Sequence, residues 1–154
     1  MTDPCGRRGR ATIAAPADAS SDIVKETAMT AIYLWLNAAL YVVFAAWCTL
    51  LSQRTAGGVG YAELTRGGMS EYLVVYGGLQ LGLALFFAWC ARSGLERTGL
   101  VFALALYVPI VAYRSATVAK NWPVGPTTLA VAVLEAILLA SAVVLWLRTA
   151  PTDS

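Results

Sequence analysis

The sequence predicts an all-α integral membrane protein, a four-helix bundle of up-down-up-down topology with both termini in the cytoplasm. Three observations carry this. Of 154 residues, 58% are hydrophobic and 13% are charged, where soluble domains carry about a quarter charged. The mean hydropathy is +0.65. The apolar residues gather into four runs of membrane-spanning length, with most charges in the tails and loops around them.

Residues 1–27 come first. They are polar, rich in Arg, Ala, Asp and Ser, and hold Pro4 and Pro16. Such a stretch cannot bury a core, so a disordered tail is expected. Arg7-Arg8 lacks the apolar residues that follow in an export signal.

The first span is expected at about 28–51. It is free of charge and reaches roughly 36 Å as a helix, enough to cross a bilayer with tilt. Residues 52–70 hold Gly57, Gly58, Gly60, Gly67 and Gly68 and are expected to form one long linking loop. The second span is expected at about 70–91, its uncharged run Tyr72–Ala91 flanked by Glu71 and Arg92. A tight turn around Gly94 leads to the third, about 98–119, which places Arg114 inside the apolar region. Pro126 suits a first helical turn and opens the fourth span, 126–147, with Glu135 near its middle. Residues 149–154 form a short tail. The two short turns make spans 2 and 3, and spans 3 and 4, antiparallel neighbours.

Orientation follows from Lys and Arg. Seven lie on the side of the termini and four on the other, so the positive-inside rule puts the termini in the cytoplasm. Tyr33, Trp35, Trp89 and Trp146 lie near the inner ends, and Trp47 and Trp122 near the outer ends, as interfacial anchors do. Cys48 and Cys90 fall near opposite ends and cannot bridge.

Composition also narrows the chemistry. There is no His and no CxxC pair, which removes His-ligated haem, most zinc sites and catalytic triads. Neither a metal nor a cofactor is expected. A net charge of +2 gives no reason to expect nucleic acid. The expected surroundings are the lipid bilayer, with a small amphipathic ligand, a membrane-protein partner or a second copy as companions.

The informative residues are the polar ones inside the spans, because ionisable groups there need partners. Counted at ~1.5 Å per residue from the inner boundary, Glu135, Gln80 and Pro109 stand at similar depth, with Tyr76 and Arg114 higher. Glu71 sits near the outer boundary, and Asn37 is mid-span on helix 1. A polar column is expected in the outer half, formed by Glu71, Tyr76, Gln80, Arg114 and Glu135, with Asn37 able to join. Tyr107 and Arg114 are seven apart and share a face of helix 3. Gly78-x-x-x-Gly82 offers a surface for close helix contact. The column is either a structural ion-pair network or a site for a ligand or a proton.

The string Glu71-x-x-x-x-Tyr76-Gly77-Gly78, followed by Leu79, Gly82 and Leu83, with Arg114 late in helix 3 and Leu134-Glu135 in helix 4, resembles a family of small four-helix bacterial membrane proteins, domain of unknown function 4345. The resemblance covers about residues 30–148. Leu73 departs from the Arg that the family often carries two residues after the Glu. It implies an integral four-helix bundle and points to the Glu71, Tyr76, Arg114 and Glu135 set, but to no reaction. The architecture is also similar to DoxX-like membrane proteins. The function expected is binding of a small ligand or lipid, or an accessory role, through an outward-facing polar column. An oligomeric transporter or proton-coupled permease is the alternative, and an enzyme using carboxylate and Arg acid–base chemistry ranks last.

Overall fold

A computed structural model describes residues 17–61 and 63–149, and every regular element among them is helical. Helix α1 spans Ala17–Leu50. No Gly or Pro interrupts it, so nothing breaks its backbone hydrogen bonding. It starts before the expected boundary at 28. Once the apolar part is helical, each further residue adds a hydrogen bond without a new nucleus, and the Ala, Ser, Lys and Glu of 17–27 tolerate it. The rest of the expected tail, 1–16, and residues 150–154 lie outside the described residues.

The long loop expected at 52–70 is largely helical. Helix α2, Ser52–Val59, follows α1 after a break at Leu51 and ends on Gly60, whose φ of 102° is the left-handed conformation that glycine adopts most easily. Helix α3, Arg66–Leu73, is capped by Thr65, whose hydroxyl accepts from the Gly68 backbone N–H at 3.1 Å. It runs into a π-helical segment, Val74–Leu79, and then α4, Gln80–Arg92. Helix α5 is Glu96–Lys120, and α6 is Pro126–Arg148 with Pro at its start.

Four helices are long and apolar enough to cross a membrane: Val24–Leu50, Arg66–Arg92, Glu96–Lys120 and Pro126–Arg148. The architecture is therefore an all-α four-helix bundle of a multi-pass kind. Helix α1 packs mainly on α4 and the π segment, and α5 packs mainly on α6. These two hairpins meet where α1 touches α5 and α6, and where α4 touches α5. At the end distal to the termini, α2 reaches α6.

The core of the terminal half gathers Leu34, Phe87, Cys90, Leu100, Ala103, Tyr107 and Ala142, all fully buried. Gly99 is essential to this packing. A Cβ there would lie 2.6 Å from Leu34 Cδ1 and 3.2 Å from Cys90 Cβ. Small residues allow such close approach where no water drives the helices together. A second, smaller core holds Cys48, Ala56 and Tyr72 at the distal end. Cys48 and Cys90 are both free and buried.

Candidate functional site

Three polar assemblies lie along the bundle, and they divide the column expected from the sequence. The deepest is a hydrogen-bonded chain across three spans. Tyr107 Oη donates to Asn37 Oδ1 at 2.6 Å, Asn37 Nδ2 donates to the Tyr33 carbonyl at 2.8 Å, and Tyr33 Oη donates to the Leu138 carbonyl at 3.0 Å. All three side chains are buried. Tyr33 was expected at the interface as an anchor. It lies in the core, because its hydroxyl finds a main-chain acceptor on α6 and is thereby satisfied. Trp35, Trp47, Trp89 and Trp122 are exposed, while Trp146 lies under the Arg97 guanidinium at 4.6 Å.

The second assembly is an ion pair between α5 and α6. Arg114 Nε donates to Glu135 Oε2 at 2.8 Å, and Nη2 donates to Oε1 at 2.7 Å. The guanidinium meets both carboxylate oxygens in the planar fork that suits it. Both groups sit on the distal side of the spans. Arg114 and Glu135 answer each other, as a lone charge in an apolar span would be costly. Tyr76 is within electrostatic reach of Arg114.

The third assembly is a groove at the distal end, between the connection from α2 to α3 and the start of the second span. It is half-open and measures about 300 Å³, lined by Tyr61, Leu64, Gly68, Glu71, Tyr72, Val75 and Tyr76. A neighbouring groove of about 350 Å³ shares Tyr61 and Leu64 and adds Gln53, Ala56, Glu63 and Met69. The aromatic wall is ordered. Tyr72 and Tyr76 stack with centroids 4.6 Å apart, and Tyr61 stands at 85° to Tyr72 with centroids 6.1 Å apart. Tyr72 Oη donates to Thr55 Oγ1 at 2.9 Å, which fixes the buried Tyr72 ring against α2.

The expected site residues are thus separated. Arg114 and Glu135 meet, with Tyr76 nearby. Tyr107 leaves this set and joins Asn37. Gln80 turns to its own helix, its Nε2 donating to the Val75 carbonyl at 3.4 Å. Glu71 pairs with no cation among the described residues and lines the groove instead. Gly78 and Gly82 are exposed, and a Cβ on either would meet nothing within 4 Å. The close approach on this span is made by Gly77, where a Cβ would lie 2.8 Å from Thr49 Oγ1. The π segment explains the change. An extra residue in the turn rotates all later residues by roughly 100° relative to a straight α-helix, so Gly78 and Gly82 lose the face that the spacing assigned to them.

Two contributors went unseen in the sequence. Tyr61 lies in a stretch read as a linker, and Thr55 in the same stretch anchors Tyr72. The available signal was an aromatic residue standing in a Gly-rich segment close to two further tyrosines of the second span.

Among the described residues, no group of three or more potential metal ligands is present. No family model, curated protein or solved structure matches this chain.

Proposed function

We propose that this chain is a multi-pass protein of the bacterial inner membrane, with cytoplasmic termini, that binds a small amphipathic ligand in its distal groove. The Glu71-x-x-x-x-Tyr76-Gly77-Gly78 string supports grouping it with the family of unknown function 4345. The observation that carries the binding proposal is the contrast between two acids. Glu135 has both oxygens engaged by Arg114. Glu71 has no cationic partner among the described residues and faces an open groove walled by tyrosine. A satisfied ion pair supports a structural role, and an unpaired acid beside aromatic rings in a concavity supports recognition.

A proton-coupled permease needs a mid-membrane acid that is free to load and release its proton. Glu135 is held in a two-point clasp instead, so the transport alternative gains nothing from the geometry. Acid–base catalysis by carboxylate and Arg meets the same obstacle.

Native mass spectrometry of protein released from nanodiscs of bacterial lipid tests the proposal. Wild type and the Arg114→Met/Glu135→Met double variant should retain one amphiphile at equal occupancy. Tyr61→Leu combined with Tyr76→Leu should lose it. Equal occupancy in all three would contradict the proposal. Impermeant labelling of a cysteine introduced at Gln53 tests orientation, with reaction expected from outside the cell.

A further inference from the structure

We infer that the distal groove recognises the ammonium headgroup of a bilayer amphiphile. This rests on reading the groove as the ligand site, and names the chemistry of what it takes. Buried Tyr72 backs the groove, stacked on Tyr76 and edge-to-face with Tyr61. The rings left accessible are Tyr61 and half-buried Tyr76, and a cation is attracted to ring faces by their quadrupole. The Glu71 carboxylate lines the same groove, and Glu63 lines the groove that adjoins it through Tyr61. Neither acid forms an ion pair among the described residues. Accessible aromatic rings beside carboxylates that form no ion pair among the described residues favour a cation, and the spread of the rings suits an alkylammonium over a compact metal ion.

The surroundings select an amphiphile. Val75 lines the groove and is itself 43% exposed, and it continues into exposed Val74 and Leu79 on the same span. The groove therefore opens onto an apolar, exposed surface of a membrane-spanning helix, of the kind that lipid tails cover. A head bound beside Glu71 can lay its chain along that surface, while a soluble amine would leave it unused. Arg54 and Arg66 are exposed nearby but do not line either groove, so an anionic head finds no cation within it.

The test measures the first lipid-binding event by native mass spectrometry on the full chain in detergent. Three dioleoyl lipids serve as probes: phosphatidylethanolamine, trimethylammonium-propane and phosphatidylglycerol. The two ammonium lipids should bind about tenfold more tightly than phosphatidylglycerol, the scale of one desolvated cation–π contact with a carboxylate beside it. Glu71→Gln, an isosteric change at an exposed position, should remove that preference by weakening both ammonium lipids. Free choline at millimolar concentration should not displace the lipid. Equal affinity for all three lipids would overturn the inference, as would full displacement by choline or a Glu71→Gln variant that keeps the preference. If a first event favours phosphatidylglycerol or a neutral glycolipid and still disappears in Tyr61→Leu/Tyr76→Leu, the ammonium inference falls and groove binding stands. If no event depends on Tyr61 or Tyr76, both fall.

Discussion

Arg114 and Glu135 hold each other through two parallel hydrogen bonds of 2.8 and 2.7 Å that tie α5 to α6. The side chains of the pair are only partly exposed, at 32% and 15%. Such a pair is most costly when half of it is removed. We expect Arg114→Gln to destabilise the bundle by about 3 kcal/mol, and Arg114→Gln with Glu135→Gln to cost about 1 kcal/mol, because the double variant leaves no buried charge without a partner. Reversible unfolding in mixed micelles measures both. A double variant at least as unstable as the single would contradict the clasp.

The buried chain through Tyr107, Asn37 and Tyr33 makes a second prediction. Tyr107→Phe leaves Asn37 Oδ1 without its 2.6 Å donor. A loss of about 1–2 kcal/mol is expected, toward the upper end for hydrogen bonds between membrane helices. Asn37→Leu with Tyr107→Phe should lose less than the sum of the two single variants. A double-mutant cycle gives the coupling directly, and strict additivity would show that the two residues do not interact.

Glycines separate by position. Gly99→Ala places a methyl 2.6 Å from the fully buried Leu34. The Leu34 methyls and Cys90 Cβ, at 3.2 Å, must shift to admit it, so about 1–3 kcal/mol is lost to overpacking. Gly82→Ala meets nothing within 4 Å and should stabilise α4 by about 0.5–1 kcal/mol through helix propensity. Thermal unfolding of the two variants should therefore move in opposite directions.

A hydroxyl pair adds to the packing that attaches α2. Tyr72→Phe removes the 2.9 Å bond to Thr55 and leaves the ring stacking in place. Faster hydrogen exchange is expected in α2, with α4 to α6 unchanged. Exchange in α2 at the wild-type rate would show that packing alone holds it.

These pairs mark what a sequence can disclose. The four spans were legible because apolar runs of twenty or so residues have few other uses. Arg114 and Glu135 were legible as candidates for pairing because each is an ionisable group inside an apolar span and needs a partner there. The Tyr33, Asn37 and Tyr107 chain was not. Spans that are apolar on every side carry little periodicity, so rotation about each helix axis stays unknown until the helices pack. The π segment at Val74–Leu79 left no mark either. It moved Gly78 and Gly82 to an exposed face and brought Gly77 against Thr49. The Gly-rich stretch at 52–70 misled in a different way. Gly57 and Gly58 are helical, because contacts of α2 with α1, α3 and α6 outweigh their weak propensity.

The central claim is that ligand recognition lies in the distal groove and that the Arg114–Glu135 pair is structural. A density map of the full chain in nanodiscs of bacterial lipid tests this most directly. Non-protein density is predicted between Tyr61, Glu71 and Tyr76, continuing past Val75 into the bilayer, with Arg114 and Glu135 in direct contact. An empty groove, with density instead inserted between Arg114 and Glu135, would contradict it.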